Sequence, residues 1–97
     1  MSDFWAWSGK YVGFSIDNYL YSKKGHPIGY FSNNILYDFS GRYLADIQNS
    51  NRLITVNSHR SMRSGSFCKP ANVCGRNYAN YVGYAMIAGC EDFCFNE

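Results

Sequence analysis

The chain has 97 residues, a formal charge of +2 and 46% hydrophobic residues. That length accommodates one domain, burying about 60–65% of the unfolded surface, and leaves no room for a second. The charge is too small to demand an acidic partner, and the longest uncharged run, Asn77–Cys90, contains Asn, Tyr and Gly and is too short for a helical membrane span.

The chain opens on "MSDFWAWSGK", with no basic stretch followed by an apolar one. It reads as lacking a signal peptide, so a cytoplasmic location is expected. Nine Tyr, seven Phe, two Trp and nine Gly favour strands and turns over helices. Trp5 and Trp7 stand two apart and share a strand face. Facing outward, they would form a stacking platform for a sugar, base or aromatic side chain; facing inward, they are core.

From Gly9 onward the chain repeats. Glycines 9, 25 and 41 stand sixteen residues apart, giving the rows GKYVGFSIDNYLYSKK, GHPIGYFSNNILYDFS and GRYLADIQNSNRLITV. The second column is basic (Lys10, His26, Arg42), the fourth aliphatic (Val12, Ile28, Leu44) and the fifth tiny (Gly13, Gly29, Ala45). Turn formers fill the ninth and tenth columns: Asp17-Asn18, Asn33-Asn34 and Asn49-Ser50. The thirteenth is large: Tyr21, Tyr37, Leu53. Agreement in so many columns marks a repeated unit. Each row suits two short strands, with the Asx pair supplying a two-residue hairpin turn and the leading glycine supplying the next turn. Glycine inside a strand marks either a bulge or a close backbone approach, and the fifth column is expected to crowd near a common axis.

A displaced fourth copy, "NYVGY", begins at Asn80, with Ala79 where the leading glycine stood. It has a first strand and no clear second one. Residues before Gly9 align with the ends of the first two rows: Phe4 with Leu20 and Leu36, Trp5 with Tyr21 and Tyr37. The N-terminal strand therefore reads as the missing half of the fourth unit. The expected fold is all-β: one domain over 1–97 with four short antiparallel hairpins around a pseudo-fourfold axis. The repeats are 9–24, 25–40, 41–56 and 79–88, the last completed by 3–8, and closure would remove exposed sheet edges. These rows resemble the small bacterial four-fold β-flower domain, four hairpins arranged like petals, over residues 3–56 and 79–88. The third row departs from the pattern at Asp46 and Gln48. The resemblance implies a fold and brings no established activity, cofactor or catalytic residue. The 23-residue MORN repeat matches less well, because the period here is sixteen.

Residues 57–78 interrupt the repeat. They carry Arg60, Arg63, Lys69 and Arg76 with no acid. Arg60 and Arg63, with His59 beside them, are candidates for binding an anion or nucleic-acid phosphate. The plainer reading is a solvated loop docked on the acidic tail "EDFCFNE". The cysteines, Cys68, Cys74, Cys90 and Cys94, all lie outside the three regular rows, which predicts that insertion and tail meet. Free thiols, a four-thiolate zinc site and two disulfides all remain open. A short C-terminal helix would put Cys90 and Cys94 on one face.

No P-loop, dinucleotide fingerprint, paired carboxylates or metalloprotease motif occurs. The leading expectation is a non-catalytic binding or interaction module that uses no cofactor, its partner another protein or an anionic ligand. Anion or nucleic-acid binding through 57–78 comes second. A cysteine enzyme pairing His59 with Cys68 or Cys74 comes third.

Overall fold

The computed structural model describes residues 2–93. Its strands are β1 (Ser2–Ala6), β2 (Tyr11–Ile16), β3 (Tyr19–Ser22), β4 (Pro27–Ser32), β5 (Ile35–Tyr37), β6 (Tyr43–Gln48), β7 (Arg52–Val56) and β8 (Cys90–Asp92). A single 3-10 turn spans Asn57–His59, and the described residues contain no α-helix.

Three antiparallel hairpins, β2–β3, β4–β5 and β6–β7, repeat the sixteen-residue rows. The Asx columns turn each one. Asp17 and Asn18 have φ of 51° and 69°, Asn33 and Asn34 of 52° and 62°, Asn49 and Ser50 of 50° and 70°. Paired left-handed residues give the turn whose twist matches the flanking strands, and Asn and Asp tolerate that conformation best among side-chain-bearing residues.

The glycine columns make the second turn. In all three copies the glycine N–H donates to the carbonyl three residues back, on Ala6, Ser22 or Asp38, at 2.8–3.0 Å. That earlier residue's N–H donates to the carbonyl of the basic residue after the glycine, Lys10, His26 or Arg42, at 2.8–2.9 Å. The basic column therefore contributes its backbone to the turn while its side chains are exposed.

A bulge recurs at Phe4/Trp5, Leu20/Tyr21 and Leu36/Tyr37. It explains the fifth column. A Cβ on Gly13 would run into the Tyr21 carbonyl, and one on Gly29 into that of Tyr37. The crowding comes from the bulged strand of the same hairpin, not from strands converging on an axis.

Phe4, Leu20 and Leu36 hold equivalent positions, opposite Gly13, Gly29 and Ala45. Leu53 joins them, because it lies opposite Ile47 as Leu20 does Ser15 and Leu36 does Phe31. All four are buried and form the pseudo-fourfold centre of the core. The column that pairs Leu53 with Tyr21 and Tyr37 is thus corrected by one residue. The third turn spans Asn49, Ser50 and Asn51 between paired Gln48 and Arg52, so everything after it moves on by one.

The ring closes differently from the sequence expectation. β1 lies antiparallel to β2 and parallel to β7, with Trp5 opposite Arg52 and Ala6 opposite Leu53. A ring of seven strands that otherwise alternates direction must contain one parallel seam, and this is it. The strand expected between β7 and β1 from residues 79–88 does not form. Instead β8 pairs antiparallel with Ile54–Val56, just beyond the stretch of β7 that β1 covers. The segment expected to be helical is therefore a strand through Asp92, and Cys94 lies outside the described residues. Phe93 follows β8 into the core cluster. Among the described residues no helix is long and apolar enough to cross a membrane.

Candidate functional site

Residues 60–89 form a strap around the glycine end of the ring. It docks on the three glycine turns in reverse order, by the same pair of bonds each time. Ser64 N–H donates to the Gly41 carbonyl at 2.9 Å and Phe67 N–H to that of Phe39 at 3.1 Å. Val73 and Arg76 donate to Gly25 and Lys23, both at 2.9 Å. Tyr81 and Tyr84 donate to Gly9 and Trp7, at 2.8 and 3.0 Å. A Cβ on any of the three turn glycines would overlap a strap carbonyl. Their positive φ already disfavours a side chain, so glycine answers to two constraints there.

This corrects the reading of "NYVGY". Gly83 packs its backbone against the Ser8 carbonyl, as Gly75 does against Lys23. "YVGY" is a strap step equivalent to "VCGR" at 73–76, not the first strand of a fourth petal. Both roles need a glycine at a close backbone approach, so the two motifs look alike in sequence.

The last step is held most firmly. Trp5 and Trp7 are buried beneath it, which rules out an open stacking platform. Trp5 Nε1–H donates to the Ala79 carbonyl at 2.9 Å, and Trp7 Nε1–H to that of Ala85 at 2.8 Å. The Tyr81 ring stacks on Trp5 at 4.0 Å and 12°, and Tyr84 tilts against Trp7 at 4.7 Å.

Arg52, only 4% exposed, pins the strap to the parallel seam. Nη2 donates to the Val82 carbonyl at 2.8 Å, and Nη1 reaches those of Ala6 and Trp7 at 3.4 and 3.5 Å. The guanidinium also lies 4.5 Å from the Tyr84 ring centre. Carbonyl dipoles and ring faces thus solvate this buried cation. Arg76 adds a two-point ion pair to Asp3, at 3.1 and 3.2 Å, and donates to the Tyr78 hydroxyl. Tyr11 donates its hydroxyl to Asp3 at 2.9 Å. Burial, then the Asp3 carboxylate, pushes the Tyr11 phenol well above its ordinary pKa.

Held from beneath, the strap still leaves large apolar side chains partly open to solvent. Tyr78, Tyr81, Val82, Tyr84, Met86 and Ile87 are 46–86% exposed, Val82 the most.

The remaining candidates gather elsewhere. His59 Nδ1 lies 3.1 Å from Asp46 Oδ1, which also accepts the Tyr43 hydroxyl at 2.5 Å. Burial, then Asp46, raises the Tyr43 pKa. Arg60 pairs with Glu91 of β8, so insertion and tail do meet. Arg63 donates to the carbonyls of Arg60 and Met62 at 3.1 and 3.0 Å. Cys68 and Cys74 are exposed free thiols, and Cys90 is a half-buried one. Among the described residues no three His, Cys, Asp or Glu side chains gather as metal ligands.

Arg52 and Asp3 escape a motif search. One signal was available: in the uncorrected sixteen-residue rows Arg52 stands under Leu20 and Leu36, where a cation is out of place; the added turn residue moves it to the position of Tyr19 and Ile35. A family model, that of the 4-fold beta flower protein, matches residues 2–80. No curated protein and no solved structure matches the chain.

Proposed function

The chain belongs to the 4-fold beta flower family, and on that premise we propose that it is a non-catalytic interaction module whose strap docks an apolar surface of a partner protein. The observation that carries this is the run of six large hydrophobics, all 46% exposed or more, between Tyr78 and Ile87. Contiguous exposed apolar surface marks interaction sites, and Tyr and Met are enriched in interfaces. The backing by Trp5, Trp7 and Arg52 fixes the backbone in advance, so little ordering cost falls on binding. Binding needs no cofactor in this reading. It takes place in the cytoplasm, where exposed thiols such as Cys68 and Cys74 stay reduced. Anion binding through the insertion is less well supported, since Arg60 and Arg76 already face carboxylates.

A photo-crosslinker at position 82 of the full chain, in the native cell, tests the reading. The expected result is a discrete adduct with a second polypeptide. Once purified, that polypeptide binds the wild-type chain and loses at least about tenfold in affinity to Val82→Glu, whose fold is unchanged. Equal labelling from a crosslinker at position 33, at the other end of the ring, would overturn the proposal. So would binding that is indifferent to Val82→Glu, or an adduct between two copies of the chain.

A further inference from the structure

The strap's first step differs from the other two in one residue. Ser64, Val73 and Tyr81 each donate an N–H to a turn-glycine carbonyl. The residues just before them are Arg63, Asn72 and Asn80. Asn80 serves its step directly, its Oδ1 accepting the Tyr11 N–H at 2.9 Å. A neutral side chain therefore suffices to dock the strap, and the arginine of the first step answers to something else.

Arg63 faces Arg42 of the third glycine turn in an isolated antiparallel bridge. The bond from the Ser64 N–H to the Gly41 carbonyl flanks the two residues, which makes them a non-hydrogen-bonded pair. Facing Cα atoms in such a pair stand about 4.5 Å apart, and the side chains leave from one face at the closest approach a ladder allows. Both arginines are exposed, and like charges directly opposite are destabilising. Among the described residues neither guanidinium forms an ion pair. Asp38 feels the Arg42 charge, but its Oδ1 already serves the turn, accepting the Ser40 and Arg42 N–H groups and the Ser40 hydroxyl at 2.7–3.0 Å. Arg63 Nη1 donates to the carbonyls of Arg60 and Met62 at 3.1 and 3.0 Å; its other donors and the Arg42 guanidinium have no partner among the described residues.

We propose that Arg42 and Arg63 form a clamp for a phosphate monoester. An anion between them replaces one repulsion with two charge-assisted attractions. Two guanidiniums match the charge of a monoester, about −1.5 to −2 at neutral pH, better than the single charge of a carboxylate or a phosphodiester. Its three terminal oxygens also give each planar fork an acceptor of its own. Arg60, held by Asn57 and Glu91, is not part of the clamp. The site joins the ring to the insertion, and it stands independently of the apolar strap reading.

The test is titration of the full chain, at constant ionic strength and neutral pH, with inorganic phosphate, glycerol phosphate and a phosphoserine peptide, following the side-chain Nε–H resonances of Arg42 and Arg63. At least one of the three is expected to shift both signals saturably, and acetate to bind at least about tenfold more weakly. The tightest binder identifies the source, a phosphorylated protein for the peptide and a small metabolite for the others. Arg63→Asn repeats what the other two steps carry and is expected to weaken binding at least about tenfold. Arg42→Gln should do the same, and guards against an Arg63→Asn chain that fails to fold. Arg60→Gln, in the same insertion, should bind as wild type does. Silence of both arginine signals to all three phosphates up to high-millimolar concentration would overturn the proposal. So would acetate binding equally well, Arg60→Gln weakening binding as much as Arg63→Asn, or a single-stranded oligonucleotide without terminal phosphates binding more tightly than every monoester.

Discussion

At the hairpin end of the ring, Asn and Asp residues reverse the chain within two or three positions, and their partners are near neighbours in sequence. At the glycine end, three glycines reverse the chain and then accept bonds from residues 23 to 72 positions further on. The first kind of closure is local. It forms with each hairpin and would survive loss of the strap. The second is long-range, and every step of it needs the strap in register. One repeat thus has a self-sufficient end and a covered end, whose stability depends on distant sequence.

The largest test of that contrast exchanges a residue at each end. Gly9→Val meets a positive φ and the Tyr81 carbonyl together. Backbone strain alone is about 1–3 kcal/mol; with the strap step displaced, a loss of at least about 3 kcal/mol is expected in urea denaturation. Asn34→Gly, in the local turn, is expected to stay within about 0.5 kcal/mol of wild type. Equal losses at the two sites would abolish the distinction.

Arg52→Met probes the same end through one side chain. It removes the donors to Val82, Ala6 and Trp7 and the cation under Tyr84, at an expected cost of about 2–3 kcal/mol. Hydrogen exchange should accelerate at the Tyr81 and Tyr84 amides and hardly at those of Phe31 and Ile47, which bond within the hairpin ring. Uniform acceleration would mean that the strap and the petals open as one unit.

The local end was also the legible one. Period, turn positions, strand count per row and the bulge-associated glycines follow from residues whose reasons lie within about sixteen positions. The strap was not legible, because its glycines and the petal glycines obey the same steric demand. "YVGY" at 81–84 and "YVGF" at 11–14 therefore look alike while one docks and the other pairs. Arg52 was hidden by a single added residue in the Asn49–Asn51 turn. Trp5 and Trp7 were visible as a pair, but what covers them lies more than seventy residues away. The juxtaposition of Arg60 with Glu91 was the part of the site that charge alone made visible.

Titration sharpens the comparison further, since Tyr11 and Tyr43 occupy one column at the glycine end and each donates to a carboxylate. Both phenols have raised pKa values in the folded chain, by burial first and by Asp3 or Asp46 next. The folded state favours the protonated form. Its contribution is complete below the unfolded value, about pH 10, and is lost as pH climbs from there towards the folded values. Stability is expected to fall above about pH 10 by up to about 1.4 kcal/mol per pH unit for each tyrosine. The Tyr11→Phe, Tyr43→Phe double variant should show a flatter alkaline limb in pH-dependent urea midpoints. An unchanged limb would remove these tyrosines from the account.

The smallest effect is expected where insertion and tail touch by charge. Arg60 and Glu91 are each more than half exposed, so water and salt screen their attraction and two long side chains must be ordered to make it. Arg60→Ala should cost no more than about 0.5 kcal/mol, and adding salt should bring the variant and the wild type together. β8 is held instead by its ladder with Ile54–Val56 and by Phe93 in the core. A loss above about 1 kcal/mol would make the ion pair a principal fastener of β8, and the covered end would then owe its closure to surface charge as well as to the strap's backbone bonds.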